Sequence, residues 1–236
     1  MNNVETRHYH GSTFLHLPLL AAFPHAFGTS TITDGMLKAL GITSDRLVTL
    51  TQVHGAEVLV LDASVPDTTS GALHYDAIVT RQRRVAMGIW TADCVPLLLA
   101  DPVRDVAAAV HAGWRGLTGG IIRHAIATMN RAFRSDPADI LAGIGPAIGP
   151  CCYEVGPEVA TLFERVTDDS SPVVIYRGNR AFLDLPAAAR LELVRTGCSP
   201  QHIATIPWCT ACEPGLFHSY RKQGGDNRQL SCIMLA

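Results

Sequence analysis

At 236 residues, 47% of them hydrophobic, the chain is long enough to bury a sizeable core as one large domain. A formal charge of −2 gives no general attraction to nucleic acid or an anionic membrane, so an anion must be met by individual arginines and a small substrate is expected. The uncharged, largely apolar stretch ILAGIGPAIGPCCY is broken by Gly and Pro and is too short to span a bilayer.

In chain order, FLHLPLLAAF has the apolar character of a signal segment, but Glu5 precedes it, His16 and Pro18 interrupt it, and no A-x-A site follows. Secretion is therefore not the expectation. The seven cysteines, odd in number and scattered, read as reduced thiols of a cytoplasmic protein. Strands are predicted over RLVTLTQV (46–53), EVLVLD (57–62), DAIVT (76–80), VAMGIW (85–90), VPLLLAD (95–101) and VAAAV (106–110). Several are apolar throughout, which implies cover on both faces. Ile122, Ile126, Met129 and Phe133 recur at helical spacing and predict a helix over 117–133. Beyond the Gly/Pro-rich GIGPAIGP, a short helix is expected over 157–166 with Pro157 at its start. A strand follows over 172–176, then a helix over 186–197 closed by Gly197, and a final strand over 230–235. No linker or repeat divides the chain, so residues 1–236 read as a single mixed α/β domain.

Three motifs place a reactive side chain where a strand stops: His54 in TQVHG, Cys94 in TADCVP and His111 in AAVHAGWRG. Two imidazoles and a thiolate suit zinc, and three protein ligands leave a fourth position for water or substrate. Each residue also has an ordinary reading, the cysteine as a small buried hydrophobe and the histidines as hydrogen-bonded strand ends. Another chemical reading makes Cys94 a nucleophile activated by His111. In HAGWRGLTGG, Gly113 and Gly116 permit close approach of the backbone to a ligand. The following helix start and Arg115 favour an anion such as phosphate. SYRK supplies a second cation at Arg221 or Lys222. Asp93 is a candidate acid or base. The CxxC of CTAC (209–212) lacks a second pair of ribbon type, since the adjacent Cys151 and Cys152 are not expected to chelate one ion together, so CTAC reads as ordinary thiols near a pocket rim in preference to a redox pair. His8, His10, His25 and His74 have no motif around them.

Taken in order, TQVHG, DAIVT, TADCVPLLLAD, AAVHAGWRG, IGPAIGPCCYEVG, CTAC and FHSYRKQGGDNRQ resemble the laccase-domain family, also called the multicopper polyphenol oxidoreductase or purine nucleoside phosphorylase family. The resemblance implies an α+β fold, a single domain of layered mixed β-sheets flanked by helices, similar to the catalytic fold of cytotoxic necrotizing factor toxins. It implies a metal, zinc with copper as the alternative, held by His54, Cys94 and His111, with Arg115 and Arg221 binding substrate. Two departures touch the rim: Ser30 in HAFGTSTITDG stands where the family has arginine, and Asn227 stands where it has glycine before Arg228.

Members of the family resemble purine nucleoside phosphorylases that also deaminate adenosine, copper-dependent polyphenol oxidases, and cytoplasmic amidases that edit peptidoglycan precursors. A multicopper oxidase needs many paired histidines, and the sole H-x-H here, His8 to His10, falls in a segment expected to be loose. The expectation is accordingly phosphorolysis with adenosine deamination. The partners would be a purine nucleoside and phosphate, with no nucleic acid or membrane, and the assembly a monomer or homodimer.

Overall fold

The computed structural model describes residues 4–61, 74–166 and 173–236. The strands are β1 (Glu5–Tyr9), β2 (Ser12–His16), β3 (His25–Gly28), β4 (Leu47–Thr49), β5 (Val58–Leu61), β6 (Ala77–Thr80), β7 (Ala86–Thr91), β8 (Val95–Asp101), β9 (Val106–Ala112), β10 (Leu141–Ile144), β11 (Glu154–Val155), β12 (Val174–Arg177), β13 (Arg180–Leu183), β14 (Ile203–Thr205) and β15 (Gln229–Met234). The helices are α1 (Thr33–Ala39), α2 (Trp114–Gly119), α3 (Ile121–Phe133), α4 (Pro157–Val166), α5 (Leu185–Arg195) and α6 (Tyr220–Gln223).

Two six-stranded mixed sheets result, ordered β1-β2-β3-β15-β7-β4 and β14-β10-β8-β9-β6-β5, with a small sheet β11-β13-β12 beside them. They stack in layers: α1 on the first sheet, the first sheet on the second, and α3 and α5 on the outer face of the second. This explains why β8 and β9 are apolar at every position rather than alternating. In β8, Val95, Leu97 and Leu99 pack toward the helices, whereas Leu98 and Ala100 pack toward the first sheet. In β9, Val106, Ala108 and Val110 pack toward the helices, whereas Ala107 and Ala109 take the other side. The period of two therefore persists, with both faces apolar. Among the described residues no helix is long and apolar enough to cross a membrane.

Expectation and structure part at definite places. The single helix over 117–133 is two helices that start at Trp114, broken at Gly120, whose φ of 82° is a left-handed cap that only glycine adopts without strain. The run 46–53 is strand only at Leu47–Thr49, because the rest forms the loop that delivers His54. The run 106–110 continues to Ala112, which puts His111 inside the strand. Residues 62 and 172, the ends of two expected strands, lie outside the described residues.

Residues 5–16, which include His8 and His10, are paired rather than loose. β1 and β2 form a hairpin whose turn residues His10 and Gly11 both have positive φ, the geometry of a tight two-residue turn. The FLHLPLLAAF segment is β2 followed by a 3-10 turn at Pro18–Leu20, with Phe14 toward α1 and Leu15 toward the second sheet. His25, which has no motif around it, is fully buried: its Nδ1–H donates to the Phe23 carbonyl at 2.9 Å and its Nε2 accepts from the Leu17 amide at 3.0 Å. Burial, the leading cause, pushes it down to about 4, so the ring is neutral at pH 7.

Candidate functional site

The register of three adjacent strands assembles the site. Ala77 faces Val110 across the β6–β9 pair, which sets Asp76 beside His111, and Pro96 faces His111 across the β8–β9 pair. With side chains alternating at every residue, His111 shares a face with Ala109, Asp76 with Ile78, and Cys94 with Pro96 and Leu98. All three therefore turn toward the first sheet at the same end of the second. His54 arrives on the loop after β4. One donor atom from each of His54, Cys94 and His111 lies within 4.8 Å of the others, and the two imidazoles meet edge to face at 4.8 Å. The three ligands expected from sequence are thus brought together and could hold one metal ion.

Asp76 organises the group, a role that no motif assigns to it. Its carboxylate is fully buried, and Oδ1 accepts from His111 Nδ1–H at 2.7 Å. The same carboxylate accepts the backbone amides of His54 at 3.0 Å, Gly55 at 2.6 Å and Val53 at 3.3 Å. These amides hold His54 at φ 59°, a left-handed conformation uncommon for a residue with a Cβ. The bond to Nδ1 fixes the His111 tautomer and leaves Nε2 free as a ligand. What marks Asp76 in the sequence is only a carboxylate opening the apolar DAIVT run, where an unpaired charge would be very costly.

The glycine of HAGWRG also gains a specific explanation. A Cβ on Gly113 would meet the Cys94 sulfur at 3.0 Å and His54 Cδ2 at 3.2 Å, so the glycine makes room for the ligands. Electrostatics within the cluster favour a thiolate. Burial would raise Cys94, but hydrogen bonds from His111 and His54 outweigh it and hold the thiol at about 6. Burial would lower His111, but its bonds to Asp76 and Cys94 raise it to about 9.

Above the cluster opens a cavity of about 660 Å³, within the range of small-molecule sites. Trp90, Trp114, Ile148, Tyr153 and Tyr220 supply apolar surface, and Arg115, Arg221 and Arg228 supply cations. Arg115 lies over the Trp114 ring, 4.3 Å from its centroid. Arg221 lies 5.0 Å from the centroid of Tyr153 and donates to the Glu154 carbonyl at 2.9 Å. Arg228, not among the residues expected to bind substrate, joins them here. Since α2 is a single turn and a half, the anion-favouring character of this rim resides in the guanidinium groups rather than in a helix dipole. Asp93 reaches the cavity, yet its carboxylate is occupied: Oδ1 accepts from Thr210 Oγ1 at 2.6 Å and Oδ2 from the Arg221 amide at 2.7 Å. It anchors α6. Ser30 does not line the cavity; its amide is bonded to the Leu216 carbonyl. The Asn227 carbonyl accepts from Arg228 at 2.8 Å.

The adjacent pair Cys151 and Cys152 and the CTAC pair Cys209 and Cys212 converge as a second group, all four sulfurs within 4.8 Å of one another. The expectation that adjacent Cys151 and Cys152 could not both approach one point beside CTAC is corrected by this convergence. All seven cysteines are free.

Comparison with known proteins places these features in context. Residues 32–236 match the family model described as multi-copper polyphenol oxidoreductase laccase. The chain is 39% identical over 198 residues to purine nucleoside phosphorylase SCO2081 of Streptomyces coelicolor, spanning 84% of this chain and 78% of that protein. It is 36% identical over 192 residues to adenosine deaminase RL5 of an unknown prokaryotic organism, spanning 78% and 73%. The crystal structure of YlmD from Geobacillus stearothermophilus superposes with a TM-score of 0.88 at 27% identity, covering 100% of this chain and 99% of that one. The fold is the same layered α+β architecture.

Proposed function

The chain belongs to the multi-copper polyphenol oxidoreductase laccase family, and from that premise we propose that it is a metal-dependent purine nucleoside phosphorylase that also deaminates adenosine. The observation that carries the reading is the placement of His54, Cys94 and His111 in the wall of a cavity that also holds Arg115, Arg221 and Arg228. The donor set fits zinc or copper: a thiol already depressed to about 6, and an imidazole whose second nitrogen is engaged by a buried carboxylate. We favour zinc, because neither reaction changes an oxidation state. His54, Cys94 and His111 would hold it, and it would supply Lewis acidity there.

The protein's own groups then divide the work. Trp90, Trp114 and Tyr153 offer ring faces for the purine. Arg115, Arg221 and Arg228 bind phosphate and align one of its oxygens with the ribose C1′. As that oxygen bonds to C1′, the bond to the purine N9 breaks and the base leaves with a proton. In deamination, water adds at C6 of adenosine and ammonia departs, with no part for phosphate. Asp76 serves both reactions by holding His111 and the His54 loop in place.

Polyphenol oxidation ranks below this. Full reduction of dioxygen needs several adjacent coppers, and among the described residues one ligand group contains histidine, while His8 and His10 belong to the β1–β2 hairpin. Residues 1–236 act in this reading as one domain, a cytoplasmic monomer or homodimer working on small molecules.

The test is product analysis. Metal-replete protein is incubated with adenosine or inosine, with and without phosphate, and the mixture resolved by chromatography. Free base with ribose 1-phosphate, dependent on phosphate, supports phosphorolysis; phosphate-independent inosine from adenosine supports deamination. If neither appears, the reading fails and release of an amino acid from a muramyl-amino acid nucleotide becomes the assay.

A further inference from the structure

Four cysteines from two separate loops meet where the proposed reaction has no use for them. Cys151 and Cys152 follow β10, and Cys209 and Cys212 follow β14. We propose that Cys151, Cys152, Cys209 and Cys212 form a second metal site, a closed four-thiolate zinc centre that clamps these two loops together. The inference does not depend on the nucleoside reading.

The spacing fits one shared ion. Tetrahedral zinc with bonds of about 2.3 Å sets its sulfurs about 3.8 Å apart. Here Cys212 lies 3.4 Å from Cys151 and 3.4 Å from Cys152, and no pair exceeds 4.8 Å. A disulfide would serve this arrangement poorly, since Cys212 can bond only one of two equidistant partners and would leave the remaining thiols crowded.

Adjacent cysteines can both reach the ion because the chain is not extended there. The amides of Cys152 and Tyr153 both donate to the Gly149 carbonyl, at 3.0 and 2.9 Å, so the segment is a helical-type turn. Successive side chains in such a turn diverge by about 100°, whereas in a strand they point to opposite sides. On the other loop the Cys212 amide donates to the Cys209 carbonyl at 3.1 Å, and this turn brings the two CxxC sulfurs to the same side.

The surroundings suit thiolate. The Gly149 amide donates to Cys209 Sγ at 3.2 Å. A divalent ion bound here would gather the four sulfurs as their thiol protons leave to solvent.

A metal here would stiffen the wall of the cavity. Cys209 bridges Ala147, the Thr210 amide donates to the Ala147 carbonyl, and the Thr210 hydroxyl holds Asp93. Ile148 and Tyr153, beside the cysteine pair, face the proposed substrate. Unlike the three-ligand group, a four-cysteine site leaves no position for substrate, so its role is structural.

The test begins with the full chain loaded with zinc under reducing conditions and freed of excess metal. Elemental analysis is expected to give two equivalents for the parent, one for Cys94→Ala and one for the pair Cys209→Ser/Cys212→Ser. X-ray absorption of the Cys94→Ala protein is expected to show sulfur alone around zinc at about 2.3 Å. In that variant, alkylation is expected to spare the four cysteines until a chelator is added. If the serine variant does not fold, the Cys94→Ala measurements decide alone, because they leave the cluster intact. A metal-free Cys94→Ala protein, nitrogen or oxygen neighbours at its zinc, or disulfides among the four residues after reduction would each overturn the proposal. Sulfur-only zinc in a parent holding a single equivalent would uphold it while counting against the three-ligand metal reading.

Discussion

Replacing Asp76 by asparagine exchanges one carboxylate oxygen for an NH2 and should weaken the candidate metal group. The carboxylate receives donors at both oxygens: the His111 ring and the His54 amide at Oδ1, the Gly55 amide at Oδ2. An asparagine of the same shape must turn its NH2 toward one set or the other, and donor then faces donor. If it turns toward His111, the ring can recover a bond only by moving its proton to Nε2, the nitrogen required for ligation. Loss of such a supporting carboxylate costs about 10–100-fold in metal affinity, or about 1.4–2.7 kcal/mol. A charge-assisted bond in a fully buried place is worth about 1.5–3 kcal/mol, so the metal-free variant should lose stability by a similar amount. Competition with a chromophoric chelator gives the first quantity and urea unfolding of metal-free protein the second. An affinity within twofold of the parent, with an unchanged unfolding midpoint, would refute the role assigned to Asp76.

Gly113→Ala places a methyl 3.0 Å from the Cys94 sulfur with φ at an unstrained −77°, so metal affinity should fall at least about tenfold while metal-free stability moves by less than about 1 kcal/mol. Equal metal affinity by the same chelator assay would show that the loop gives way. Arg115→Ala should weaken phosphorolysis by about 2 kcal/mol, near 30-fold in kcat/KM, and deamination less. Equal losses would assign Arg115 to the nucleoside. His25 is neutral and depressed to about 4 when folded against 6.5 as the ordinary value, so the unfolded chain takes up its proton first as pH falls. Its contribution is complete above pH 6.5 and is lost between 6.5 and 4, worth about 3 kcal/mol at 1.36 kcal/mol per pH unit. Urea titrations across that window should therefore show a slope that His25→Gln flattens; parallel slopes would contradict it.

The candidate metal group is legible in the sequence because Cys94 and His111 sit at the ends of the apolar runs 95–101 and 106–110, and strand ends can converge once register is set. VPLLLAD is readable to the residue, since every side chain is buried and both ends are marked by a change of character. His54 is legible as a residue but its pose is not: it depends on amides captured by a carboxylate more than twenty positions away. The four-cysteine group is hidden for a related reason. Adjacent cysteines look divergent when the chain is imagined as extended, and the turn at Gly149 that aligns them is a hydrogen-bonding pattern rather than a composition. The N-terminal hairpin is hidden because β1 is exposed throughout and gives no alternation to detect.

Whether His54, Cys94 and His111 form the catalytic centre of a nucleoside phosphorylase is decided by phosphate-dependent release of ribose 1-phosphate from inosine, measured side by side for metal-replete parent and for Cys94→Ala. Steady release is expected from the parent and at least about a hundredfold less from the variant, the scale of losing one stabilising group at the reacting centre. No release by the parent, or equal release by both, would contradict that assignment.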